Sequence, residues 1–127
     1  MSEIVKATKE GAQNLPVSIK TRLGVEKDNL NEWIEVLLAT QPAAITLHAR
    51  TVREMSNVPA HWDAVQRAVN IASGTGVLIV GNGDVRNIKH GVELSKLTGA
   101  DGIMIGRAIY GNPWLFNSAS IKQKIRF

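Results

Sequence analysis

Apolar residues gather in four short runs along the chain: LPVSIK (Leu15–Lys20), PAAITLH (Pro42–His48), GVLIVG (Gly76–Gly81) and DGIMIG (Asp101–Gly106). Each is apolar at consecutive positions and rich in β-branched residues. That pattern predicts strands buried on both faces, the habit of parallel sheets. The expected spans are 16–20, 43–48, 77–81 and 101–105.

Between the runs, hydrophobic residues recur at helical spacing. Asp28 can cap a helix carrying Leu30, Trp33, Ile34, Leu37 and Leu38 on one side. Pro59 suits the first turn of a helix with Trp62, Val65, Val69 and Ala72 on its stripe. Asp84 can cap another with Val85, Ile88, Val92 and Leu97, stopped by Gly99. The opening SEIVKATKEG reads as a helix ending near Gly11. The order is α-βα-βα-βα-β, then a short helix anchored by Trp114 and a tail. Each crossover is long enough for a helix, so the sheet is expected to be parallel with right-handed connections.

An open doubly wound sheet and part of a (β/α)₈ barrel both fit this order. The strand ends favour the barrel. Polar residues close all four runs: Lys20, His48, Asn82 with Asp84, and Arg107. A barrel gathers residues from every strand end around one axis, whereas an open sheet concentrates its site at one switch point. A full barrel takes about 250 residues, and this chain has 127. The expectation is a single half-barrel domain, (βα)₄, over residues 1–127.

Composition narrows the chemistry. Fifteen basic against eleven acidic residues give a net charge of +4, which suits a polyanionic partner without requiring one. The absence of cysteine excludes disulfides, thiolate metal sites and a cysteine nucleophile within these residues. No apolar run approaches the ~20 residues of a membrane span. The N-terminus lacks the apolar core of a signal peptide, so the expected location is cytoplasmic.

Gly81-Asn82-Gly83-Asp84 follows the third run. Two glycines let a ligand approach the backbone, and a following helix would aim its N-terminus at the turn, as in a phosphate cradle. Gly106-Arg107 offers the same parts one βα unit later, with a guanidinium added. Loops after the last two strands of a barrel often share one phosphate site. Ordinary turns with Asp84 as a plain cap are the competing reading of each motif alone. Lys20 can stabilise an anionic ring edge or lie as a snorkelling surface lysine. His48 can donate to a cofactor ring or be a satisfied half-buried histidine. Arg22, Arg50 and Arg53 follow the same two strands and would sit on the rim of the mouth, facing a polyanion or only solvent. His61 and His90 read as surface residues without partner ligands, and no metal site is expected. Trp33 and Trp62 lie on apolar stripes and read as core.

Five segments in order, PVSIKTRLG, ITLHART, VPAHWDAV, VGNGDV and GADGIMIGRAIYGNPWLF, closely resemble the tRNA-dihydrouridine synthases, from about Leu15 to Phe116. The resemblance implies an FMN-dependent (β/α)₈ enzyme that reduces uridines in tRNA, with NADPH as reductant. It implies that Lys20 and His48 contact the flavin. Asn82, Gly83 and Asp84, joined by Gly106 and Arg107, would line the ribityl-phosphate site. Arg50 and Arg22 would face the tRNA. The matched strands correspond to the family's fifth to eighth. Its first four strands, the cysteine that supplies a proton to the uracil, and its helical tRNA-binding domain have no counterpart here. The resemblance therefore implies a C-terminal half-barrel, inactive alone. Alternatives are a non-catalytic phosphate- or FMN-binding half-barrel, or another FMN-dependent barrel oxidoreductase. An open half-barrel with apolar inward side chains is expected to pair its free edges, most simply as a homodimer.

Overall fold

Each expected strand and each of the four expected α-helices forms, in the expected order. The computed structural model describes residues 2–117. The elements are α1 (Ser2–Ala12), β1 (Ser18–Arg22), α2 (Leu30–Leu38), β2 (Ala44–His48), α3 (Trp62–Ala72), β3 (Leu78–Asn82), α4 (Ile88–Thr98), β4 (Gly102–Met104) and a 3₁₀ turn (Arg107–Ile109). The strands form one parallel sheet in the order β1-β2-β3-β4. This is a (βα)₄ half of a TIM barrel. The tail beyond Asn117 lies outside the described residues. The short helix expected after β4 is the 3₁₀ helix, and Trp114 lies in a turn beyond it, 38% exposed; any helix anchored by Trp114 further along lies outside the described residues.

The register sorts the strand residues into two faces. Ile19, Ile45 and Ile79 align across β1, β2 and β3 and point to the helices, as do Leu47, Gly81 and Ile103. They meet Leu30, Ile34 and Leu37 of α2 and Ala64, Val65, Ala68 and Ala72 of α3 in one buried cluster. Each fully buried aliphatic side chain contributes about 1.5–3 kcal/mol. Alanines on the inner side of α3 let it lie close to the sheet. Trp62 then covers Gly81, and a Cβ built at Gly81 would sit 2.9 Å from Trp62 Cη2 and 3.2 Å from Val65 Cγ1. Gly81→Val is therefore expected to overpack the core and destabilise by about 1–3 kcal/mol. A shift in the urea midpoint checks this, and an unchanged midpoint would contradict it.

The opposite face differs from the expectation of strands apolar on both sides. It carries Ser18, Lys20 and Arg22 on β1, Ala44, Thr46 and His48 on β2, Leu78, Val80 and Asn82 on β3, and Gly102 and Met104 on β4. Its large apolar members are Leu78, Val80 and Met104 only, and Leu78 is 51% exposed. Both outer edges of the sheet, on β1 and β4, are free among the described residues.

Several local expectations are corrected. β1 lies two residues further along than 16–20, because its ladder with β2 runs from Ser18–Ala44 to Arg22–His48. Lys20 is thus mid-strand, and Arg22 ends it. Pro59 precedes α3 rather than opening it. The residues after it are held by other partners, Ala60 N–H by Asp84 Oδ2 at 2.9 Å and His61 N–H by the Ala49 carbonyl at 2.8 Å. Asp84 does not cap α4. Asn87 does, its side chain accepting from His90 N–H at 2.8 Å. With this later start, α4 turns Gly91, Leu94 and Thr98 inward and leaves Ile88, Val92 and Leu97 exposed. Asp28 does accept from Leu30 N–H, at 2.8 Å, and also pairs with Arg67 of α3.

Candidate functional site

The strand ends build the site. Arg22, His48, Asn82 and Met104 are direct neighbours in register across all four strands, forming one row on the open face. One layer deeper lie Lys20, Thr46, Val80 and Gly102. Parallel strands put every such residue at the same end of the sheet, where the loops after β2, β3 and β4 also converge. These loops and the row enclose a cleft of about 740 Å³ lined by Arg22, His48, Asn82, Gly83, Gly106 and Arg107, among others. That volume is typical of small-molecule sites. Lys20 lines a second hollow of about 540 Å³ at the β1 edge, which shares Arg22 with the first.

Asp84 ties the loops together. Its backbone is left-handed, with φ 51°, directly after Gly83 at φ 134°. Its Oδ2 accepts from Arg50 Nη2 at 2.5 Å and from Ala60 N–H at 2.9 Å. Its Oδ1 accepts from Arg107 Nη2 at 3.1 Å. The hydrogen bond from Arg50 is the chief reason its carboxyl is held below the usual carboxylate range. Gly83 is required by the same closeness, since a Cβ there would lie 2.7 Å from Ala60 Cβ. Trp62 closes the turn from below, donating Nε1–H to the Gly83 carbonyl at 3.1 Å.

Arg50 is not the rim residue expected from its position after β2. Its side chain is 3% exposed, and Nε donates to the Val58 carbonyl at 2.7 Å. Arg22 is partly buried and donates to the Thr51 carbonyl at 2.9 Å. Arg53 is solvent-exposed and pairs with Glu26. By contrast Arg107 keeps 65% of its side chain exposed beside Gly106, where an added Cβ would meet nothing within 4 Å. The loop after β4 therefore has open space and a free cationic edge. Asn82 spends its amide on the Met104 carbonyl at 2.9 Å, joining β3 to β4.

His48 is neutral at physiological pH. Burial first, then the charges of Arg22, Lys20 and Arg50, lower its pKa from 6.5 to about 4. Between those values the unfolded chain binds a proton at this residue that the folded chain refuses. Stability therefore falls as pH drops from about 6.5 to about 4. Asp84 adds to the loss below that range, because its stabilisation is present above the ordinary carboxylate pKa and disappears as pH falls through its depressed value. Urea midpoints measured from pH 7 to pH 4.5 are expected to fall, with His48→Gln flattening the decline. A decline unaltered in His48→Gln would contradict the assignment.

Sequence reasoning missed Arg86, Met55 and Ser56, which also line the cleft. It also missed the clasp that shapes the β2–α3 loop. There Glu54 accepts from Thr51 N–H at 2.7 Å and pairs with His61 Nε2 at 2.8 Å. The Thr-x-x-Glu spacing at residues 51–54 is a capping-box pattern and was the available signal. His90 sits in the first turn of α4, where its Nδ1 accepts from Arg86 N–H at 3.2 Å. Among the described residues no cluster of ligating side chains could hold a metal ion, and no helix is long and apolar enough to cross a membrane.

The chain matches the sequence model of the family described as "Dihydrouridine synthase (Dus)" over residues 1–126. It is 42% identical over 118 residues to a "Probable tRNA-dihydrouridine synthase" of Staphylococcus aureus (strain Mu50 / ATCC 700699), covering 91% of this chain and 35% of that protein. It is 39% identical over 118 residues to "Probable tRNA-dihydrouridine synthase 2" of Bacillus subtilis (strain 168), covering 91% of this chain and 36% of that protein. The chain thus spans about a third of the length of these relatives, 35% and 36%.

Proposed function

The chain belongs to the dihydrouridine synthase family, and from that premise we propose that it forms the flavin-phosphate side of a site where uridine in tRNA is reduced with FMN and NADPH, in the cytoplasm. The observation that carries the proposal is the cationic cleft at the strand ends. There Arg22, His48 and Asn82 stand in register beside the Gly106–Arg107 loop.

The residues present fit such a cofactor. Arg107 has a free guanidinium edge for a phosphate, and the space at Gly106 admits one against the backbone. Gly83 and Asn82 form the adjoining wall. Lys20 and neutral His48, on neighbouring strands, supply a positive charge and an uncharged polar ring toward the flavin's pyrimidine edge. When bound, FMN would supply the hydride for the uracil double bond and NADPH would restore it. Arg22 would meet the substrate at the mouth. Arg50 takes no direct part with tRNA in this reading, since its guanidinium is buried. The 127 residues include no cysteine, so no thiol of theirs delivers the accompanying proton. Incubation of this polypeptide alone with FMN, NADPH and unmodified tRNA is accordingly expected to form no dihydrouridine. A second copy pairing the free β1 and β4 edges belongs to the same proposal, although the polar open face gives it less apolar drive than the sequence promised.

The phosphate assignment is tested by titrating FMN and riboflavin against the purified chain, followed by flavin fluorescence. A charge-assisted contact contributes about 1.5–3 kcal/mol, so FMN is expected to bind at least about tenfold more tightly than riboflavin. Arg107→Ala should lower FMN affinity to near that of riboflavin. Equal binding of the two flavins by the parent chain would contradict the reading.

A further inference from the structure

Arg50 is a buried cation that the proposed chemistry leaves unused, and its contacts lead to both ends of the cleft. Nε is committed to the Val58 carbonyl and Nη2 to Asp84. The remaining terminal nitrogen, Nη1, lies 3.4 Å from His48 Nε2. A guanidinium has donors only and does not deprotonate in proteins. A protonated Nε2 would set N–H against N–H at this contact, so Nε2 has to be the acceptor.

We infer that Arg50 and Asp84 are positioning residues: Arg50 fixes His48 as the neutral tautomer with its proton on Nδ1, and Asp84 holds both Arg50 and the cleft-facing Arg107. The charged groups facing His48 agree with a neutral ring. Lys20, Arg22 and Arg50 oppose a second proton, and Asp84 alone favours one. Asp84 divides its two oxygens between the arginines, the buried one on Oδ2 and the exposed one on Oδ1. One carboxylate thereby sets a donor at the ring end of the cleft, through Arg50 and His48, and a guanidinium at the phosphate end. The left-handed backbone at Asp84 is what aims the carboxylate back between the loops. The use of these groups for a flavin rests on the function proposed above. The tautomer and the clasp do not.

The test is long-range ¹⁵N–¹H correlation spectroscopy of the histidine rings at pH 7 in the intact chain. For His48 the expected pattern is a protonated Nδ1 and an unprotonated Nε2. A protonated Nε2, or the mixed tautomers of a free imidazole, would overturn the inference. Asp84→Asn, which keeps size and loses charge, is expected to loosen Arg50 and move His48 toward mixed tautomers. Arg53→Ala, which breaks an exposed pair elsewhere, should leave the spectrum unchanged. A tautomer unaffected by a folded Asp84→Asn would overturn the role given to Asp84; if that variant does not fold, the parent spectrum still decides the tautomer. FMN affinity supplies a second readout. Asp84→Asn should weaken binding in the parent and by a smaller factor on an Arg107→Ala background, where only the route through Arg50 and His48 remains; fully additive losses would overturn the link to Arg107. If the parent binds no FMN, the functional proposal fails while the ring spectra still decide this one.

Discussion

Asp84→Ala is expected to destabilise the fold by about 1–3 kcal/mol, the cost of leaving a buried hydrogen-bonding group without its partner, because Arg50 is buried while the Asp84 carboxylate is 37% exposed and partly screened by solvent. Arg50 is 3% exposed and has its strongest contact with this carboxylate. Removing it strands a guanidinium that cannot lose its charge, and it leaves the Ala60 N–H without its acceptor. A loss of that size is a substantial fraction of the ~5–15 kcal/mol total stability of a domain, so the urea midpoint should fall clearly. Arg107→Ala touches the same carboxylate from solvent, and exposed pairs contribute about 0–1 kcal/mol. Urea denaturation separates the cases. Equal small losses for Asp84→Ala and Arg107→Ala would show that Arg50 is not dependent on Asp84.

Ile45→Ala should cost about 2–5 kcal/mol, while Leu78→Ala should stay within about 0.5 kcal/mol, as for surface substitutions. Both are large aliphatic residues of central strands. They differ in face. Ile45 is 0% exposed against α2 and α3, whereas Leu78 is 51% exposed on the side without helices. The comparison also reads what covers that side in solution. If Leu78→Ala costs as much as Ile45→Ala, the open face is buried against further polypeptide, and the one-sided description fails.

Much of this fold could be read from the chain because its signals were local. The four runs, the stripes of α2 and α3, and Gly99 as the left-handed end of α4 needed only short windows of sequence. The errors came from interactions between segments. Leu15, Pro16 and Val17 look like strand, but pairing with β2 sets the register, and the ladder begins at Ser18. An apolar run also conceals its two faces: Lys20, Thr46 and Asn82 are the polar half of an alternation that only the sheet direction exposes. Asp84 precedes a helical pattern and so reads as a cap, but its partners Arg50 and Arg107 are distant in sequence. Arg50 follows a strand and so reads as rim, yet the turn at 82–84 folds over it. For the site, the strand-end residues were visible one by one, and their row required the register.

We propose that the C-terminal strand ends, and not another part of the sheet, hold an anionic cofactor. The most direct measurement is the map of backbone amide shifts in an ¹⁵N-labelled chain as FMN is added, with inorganic phosphate as a second probe. The expected result is saturable shifts for residues 82–84 and 106–108 with both probes, joined by residues 20 and 48 with FMN alone. Residues 73–77, at the opposite end of the strands, should remain still. Shifts centred on 73–77, or none at 106–108, would contradict the account.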